Sequence, residues 1–423
     1  MEKVLTFEEA LAAVLVEARS LDAPRKVETV PLKEADGRVL AAAVRAERDQ
    51  PPFDRSTRDG FAVRSADAAR ALEVIGSLRA GEMWSDKPLA EGEAIEIMTG
   101  APMPAGADAV VMVEHVNCEG KTLRIGEERS LRAGENVVPR GAEARAGDTL
   151  LPVGRPLGAA EIAVAASCGC AEIEVFARPT VGIVATGDEL VELDQEPEAW
   201  QIYNSNSYAL AALVRQEGGF AGRLKIARDT RKDLVERMAQ GAMWDLLILS
   251  GGVSMGKFDL VEGLLAEFGA EFFFTGAMIQ PGKPVVFGRL PRSSESASQR
   301  VGELEGRRDA GWTYFFGLPG NPVSTQVCFH LFVAPMLRAL AGRSDLAPRF
   351  VEAKLSEDVK GGARVTRFLP AEMTSAWDGV SVRVVGWQGS GDVAANARGN
   401  CYAVLPAGVE AFRVGETVRV LLR

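Results

Sequence analysis

Val181-Gly182-Ile183-Val184-Ala185-Thr186-Gly187-Asp188-Glu189-Leu190 runs apolar for five residues and then breaks on a glycine followed by two acids. Two further stretches repeat the design. Leu246-Leu247-Ile248-Leu249 meets Ser250-Gly251-Gly252-Val253-Ser254-Met255-Gly256, and Tyr314-Phe315-Phe316-Gly317-Leu318 meets Pro319-Gly320-Asn321-Pro322. A short apolar run reads as a strand buried on both faces, and helical spacing resumes after each break. In an open α/β sheet such turns gather at the carboxyl edge, where ligands bind. Glycines there let a backbone approach a ligand, and helix N-termini present free N–H groups to anions. Three such turns within one domain-sized stretch point to a pocket for an anion or nucleotide.

Outward from this core, strands and helices alternate over 179–342, as in a doubly wound parallel sheet. Predicted helices are Ser207–Glu217, Arg231–Gln240 and Phe258–Phe268. Arg292–Arg308 is polar and poor in large apolar residues, and reads as a long surface loop between two strands. Residues 49–147 change texture, with short strand-like runs (Ala94–Met98, Ala109–Val113, Thr122–Ile125) separated by Gly/Pro turns, an inserted β domain. Residues 1–48 and 148–178 flank it as a connecting unit with a helix at Phe7–Leu21, whose Thr6 and Glu9 form a capping box. Residues 343–423 return to short alternating runs, a small β barrel.

The chain has 423 residues and a net charge of −10. That balance disfavours nucleic acid and anionic membranes, which need a basic face, but a local Lys and a few amides suffice for a small anion. Glu8, Glu9 and Glu17 interrupt the N-terminal apolar residues, so neither a signal peptide nor a membrane span is expected there and the protein reads as cytoplasmic. Five scattered cysteines lack zinc-site spacing and read as small buried hydrophobes. With only His115 and His330, a histidine metal site or a Ser/His/Asp triad is poorly supported, and His330 lies in a core-like helix. A bound metal should be a hard one held by oxygens.

The residue types suit anion chemistry. Gly251, Gly252 and Gly320 would bring backbone amides to a phosphate, with Ser250, Ser254, Pro319, Asn321 and Pro322 shaping the loops. Lys283, between Pro281-Gly282 and Pro284, is a charge on a stiff turn. Asp59, Glu189, Asp229 and Asp259 are oxygen ligands or proton-transfer groups, and Thr99 is a neutral donor toward an oxyanion. Taken singly, each has a plainer reading. Asp259 and Asp229 could be helix-terminal dipole partners, Asp59 a turn residue, Lys283 a surface lysine, and Pro319 and Pro322 loop punctuation.

Asp59-Gly60-Phe61-Ala62, Met98-Thr99-Gly100-Ala101-Pro102, Thr186–Leu190, Asn204-Ser205-Asn206, Ser250–Ser254, Pro281-Gly282-Lys283-Pro284 and Leu318–Ser324 together resemble the molybdopterin molybdenumtransferases. This is the MoeA family, to which the C-terminal domain of gephyrin also belongs. The resemblance implies an elongated connecting domain, an inserted β domain, an α/β domain similar to molybdopterin adenylyltransferases (MogA-like), and a C-terminal β barrel. It implies insertion of molybdate into adenylylated molybdopterin with release of AMP, assisted by Mg²⁺. Asp59, Thr99, Glu189, Asp259 and Lys283 would be catalytic, and Glu189 and Asp259 would hold the metal. Asp229, Ser250, Gly251, Gly252, Ser254, Pro281, Gly282, Pro319, Gly320, Asn321 and Pro322 would bind substrate. It further implies a homodimer with the site shared between chains, and contacts with an adenylyltransferase and with acceptor molybdoenzymes. A gephyrin-like, non-catalytic scaffold is the alternative. Gln280 stands where many members carry lysine, and Glu143 where aspartate is frequent.

Overall fold

A computed structural model describes residues 3–21, 25–84, 87–127, 129–251, 258–292, 311–361, 364–377 and 379–423, with backbone only at 258 and 259. Gly252, Ser254, the Asp259 side chain and nearly all of the Arg292–Arg308 loop therefore lie outside the described residues.

The central sheet has six strands in the order Phe220–Arg223, Thr180–Ala185, Leu246–Ser250, Trp312–Leu318, Val286–Pro291, Glu271–Phe274. The first four are mutually parallel. Val286–Pro291 runs against both its neighbours, so the sheet is mixed where the sequence reading has it parallel. Antiparallel neighbours can be joined directly, without the crossover that a parallel pair requires. Helices cover both faces. Ser205–Gln216 and the Pro322–Leu340 helix lie with one buried cluster, Arg231–Gly241 and Phe258–Glu267 with the other. The 19-residue Pro322–Leu340 helix is long and apolar enough to cross a membrane, but 89% of its apolar window is buried inside the protein. A π turn at Phe329–Val333 precedes Pro335, which lacks the N–H that an α ladder requires.

The N-terminal helix spans Phe7–Arg19, and its predicted capping box is present: Glu9 N–H donates to Thr6 Oγ1 at 3.2 Å and Thr6 N–H to Glu9 Oε2 at 2.9 Å. Its apolar face (Ala10, Val14, Ala18) packs into the α/β core rather than among residues 27–45, beside which the sequence places it. The connecting region itself is held by antiparallel pairs, Val27–Pro31 with Glu172–Phe176 and Val44–Arg45 with Thr149–Leu151. A single 3₁₀ turn at Leu32–Glu34 follows the first of these strands.

The inserted region forms a six-stranded sheet around Gly60–Val63 and Glu93–Ile97, with apolar clusters on both faces. Toward the C-terminus, Phe350–Leu355, Thr366–Ala376, Gly379–Val384, Cys401–Leu405 and Thr417–Leu422 close into a barrel. Ile279–Gln280 of the α/β region adds a short parallel strand to it.

Candidate functional site

Strand order brings the glycine-bearing turns together. Leu246–Ser250 lies between Thr180–Ala185 and Trp312–Leu318, so Thr186, Ser250 and Leu318 end adjacent strands. Thr186 N–H donates to Ser250 O at 2.9 Å, and Gly251 N–H to Leu318 O at 3.1 Å. Gly251 takes φ +95°, and a Cβ there would sit 2.5 Å from Thr186 O, so only glycine fits. The Thr186 hydroxyl is buried beside it, with no partner among the described residues.

Asn206 fastens these turns. It sits in the first turn of the helix whose N-cap is Asn204, and its Nδ2 donates to Ser250 Oγ (3.1 Å), Gly320 O (2.7 Å) and Thr325 Oγ1 (3.4 Å). Thr325 in turn donates to Pro319 O at 2.5 Å and lies 3.1 Å from Asn321 O. Asn204 caps this helix by accepting the Ser207 N–H at 3.3 Å, which leaves the Asn206 amide to the turns. Its role depends on which strands are neighbours.

The third turn is closed from the barrel side. Val323 N–H donates to Ser390 O at 3.0 Å, and Asn321 Nδ2 to Ser390 Oγ at 2.9 Å. With no N–H on Pro322 and the Val323 N–H taken by Ser390, this helix end offers an anion fewer free amides than the sequence suggests.

On the acidic side, Asp188 Oδ1 accepts the Asp229 N–H at 3.1 Å, and Arg228 Nη1 donates to the carbonyls of Asp188 (2.8 Å) and Leu190 (3.2 Å). The Glu189 carboxylate is exposed and folds back over Gly187, where a Cβ would meet it at 2.4 Å. Glu189, Asp188 and Asp229 thus line one turn pair with hard oxygens. Among the described residues no three acidic, histidine or cysteine side chains cluster as a metal site. Mg²⁺ is commonly held by one or two carboxylates plus substrate phosphates, which this donor set fits.

Pro281 and Gly282 are buried and Lys283 is exposed. The Cys328 thiol packs beneath their turn, 3.6 Å from Gly282 O, so the turn rides on the helix that begins at Pro322. Gln280 is exposed at the turn's entrance, and Glu143 pairs with Arg55 at 2.6 Å.

Asp59 and Thr99 meet in the inserted sheet. Thr99 donates both its N–H (2.7 Å) and its hydroxyl (2.8 Å) to Asp59 Oδ1, which holds the carboxyl below the usual aspartate range. The hydroxyl hydrogen expected to greet an oxyanion is thus spent on Asp59. Among the described residues, no hydrogen bond or ion pair joins this pair to the α/β edge.

A wound α/β sheet with a glycine-rich carboxyl edge, joined to an inserted β sheet and a closed barrel, defines a multidomain α/β class with a candidate ligand edge. The MoeA N-terminal region (domain I and II) matches residues 5–169, the probable molybdopterin binding domain 182–339, and the MoeA C-terminal region (domain IV) 352–422. A molybdopterin molybdenumtransferase of Staphylococcus epidermidis is 34% identical over 401 residues, covering 93% of this chain and 90% of that protein. One from Staphylococcus aureus is 33% identical over 406 residues, with the same coverage. The solved molybdopterin biosynthesis MoeA protein of Pyrococcus horikoshii superposes with a TM-score of 0.79 at 28% identity, over the whole of both chains. The chain belongs to the MoeA family.

Proposed function

We propose that this protein acts in molybdenum cofactor biosynthesis as a molybdopterin molybdenumtransferase, inserting molybdate into adenylylated molybdopterin with release of AMP. Its family membership supports that role, and the relatives carry this name. The scaffold alternative is not favoured. The observation that carries the chemistry is the Asn206 bond set, which holds Ser250 and Gly320 at one sheet edge.

In this reading the Gly251 and Gly320 turns receive the pterin or phosphate of the substrate, with Gly252 and Ser254 continuing the second loop. Lys283 contributes a positive charge on a turn fixed by Pro281 and Pro284. Glu189 and Asp259 hold Mg²⁺, which when bound would neutralise phosphoanhydride oxygens during hydrolysis. Asp229 presents its turn to the substrate. Asp59, kept ionised by Thr99, acts from the partner subunit of a homodimer. Without the lysine frequent at position 280, molybdate relies more on Lys283 and backbone amides. A cytoplasmic location, and exchange with an adenylyltransferase and acceptor molybdoenzymes, belong to the same reading.

The test is AMP release from adenylylated molybdopterin by the purified protein, with and without molybdate and Mg²⁺. Release that needs both, with molybdenum retained on the pterin, supports the transferase. Tight substrate binding without release overturns it in favour of a carrier. Asp59→Asn or Asp259→Ala with unchanged turnover would refute the acidic site, and a fully active monomer by light scattering would refute the shared one.

A further inference from the structure

Away from the glycine-rich edge, a cavity of about 380 Å³ opens where the Pro322–Leu340 helix, the connection to the barrel and the last barrel strand meet. Its charged and titratable lining consists of Arg338, Arg343, Arg349, Arg423, His330 and a single acid, Glu217. Four guanidinium groups face one carboxylate in the lining, and Asp345 at its edge pairs with Arg343, which still leaves a net positive charge here in a protein whose net charge is −10.

Not all of those donors are free. Arg338 is engaged with Glu217 through two bonds of 2.6 and 2.7 Å, and a third reaches Ala347 O. Arg423 serves Gly399 and Asn396 and lies over the Tyr402 ring. Those two contribute field and shape. Arg343 binds Asp345 through Nε and Nη2, while its Nη1 stands 3.6 Å from Glu217, beyond hydrogen-bond length. Arg349 is largely exposed and reaches Asp345 only at 3.5 Å. The His330 side chain is 7% exposed, and its Nε2 is buried with no partner among the described residues. A buried ring nitrogen left unpaired calls for a ligand or a water.

We propose that this cavity binds a small tetrahedral oxyanion, free or as the terminal phosphate of a metabolite, through His330 Nε2, Arg343 Nη1 and Arg349. His330 donates as a neutral imidazole. Burial, helped by Arg423 and Arg338 and opposed by Glu217, pulls it down to about 4, so at pH 7 the ring keeps one N–H. A bound anion adds a polar link among three segments that already share an apolar core: the long helix, the connection and the barrel. The proposal is independent of the reaction at the glycine-rich edge.

The chain's two histidines make the test direct. Full-length protein with ¹⁵N-histidine gives ring signals for His330 and for His115, which lies in the inserted sheet region; His330→Gln assigns them. Inorganic phosphate, molybdate and AMP are titrated separately at constant ionic strength with chloride. The expected result is a saturable shift of the His330 ring signals, His115 unmoved, with affinity at least tenfold weaker in Arg349→Glu. Response to inorganic phosphate or molybdate identifies a free oxyanion, and response to AMP alone identifies a phosphorylated metabolite. An unmoved His330 signal with all three at millimolar concentration overturns the proposal. So does a shift that Arg349→Glu leaves unchanged while the variant keeps the parent melting temperature.

Discussion

The side-chain amide of Asn206 lies 2.7 Å from the carbonyl oxygen of Gly320, 114 residues further along the chain. The same nitrogen reaches Ser250 and Thr325, so one side chain spans two strand-to-helix turns. Asn206→Ala should cost about 1–3 kcal/mol, the range for orphaning partly buried polar partners. Asn206→Asp should cost more, because a carboxylate cannot donate and would face the Gly320 carbonyl. Thermal unfolding of both variants, read beside AMP release, checks this. Equal stability for Ala, Asp and parent would show that the bond set is idle.

Gly251 and Gly320 lie side by side yet should respond differently to an added methyl. Gly251→Ala puts a Cβ 2.5 Å from the Thr186 carbonyl at φ +95°, and we expect a loss of about 2 kcal/mol or more. At Gly320 the nearest atom to a Cβ is Gly251 Cα at 3.5 Å, ordinary contact, so Gly320→Ala should stay within about 1 kcal/mol. Denaturant midpoints of the pair decide the matter.

Asp59 should stay ionised at a pH where an ordinary aspartate (about 3.9) is half protonated. A lowered folded pKa means that its stabilising effect is present above the unfolded value and vanishes as pH falls through the folded one. Thr99→Val removes the hydroxyl but keeps the N–H, the stronger of the two causes, so the Asp59 pKa should rise only part of the way. Carboxyl ¹³C titration of parent and variant measures this. A complete return to the ordinary value would mean that the backbone bond contributes nothing.

Thiol reactivity should be graded. Cys118 is exposed and should react first with a disulfide reagent at pH 8. Burial pushes Cys401 up to about 11 and raises Cys328 further, so both should label only on unfolding. Early labelling of Cys328 would show that the Gly282–Lys283 turn lifts off its helix in the native state.

Local signals in the sequence carried far. The Thr6–Glu9 box and the apolar runs ending in glycine depend on neighbours within a few residues, and each appears where it was read. Asp59 and Thr99 were each legible as polar residues beside glycine, but their mutual bond spans 40 positions and follows from sheet register. The reversed strand Val286–Pro291 and the Ser390 carbonyl on the third helix end depend on which elements become neighbours, information that periodicity does not carry. Asn206 was visible within a quoted motif, but its partners became visible only with the strand order.

Val14 of the first helix and Leu421 of the last strand belong to one buried cluster, together with Phe332, Phe368 and Tyr402. During synthesis the N-terminal end of this chain emerges long before its final packing partners exist. The long apolar helix at 322–340 must therefore wait, partly uncovered, for the last barrel strand to clear the ribosome. Translation arrest before the barrel is complete would release a chain whose long apolar helix is only partly covered, a substrate for chaperones rather than a shorter working enzyme.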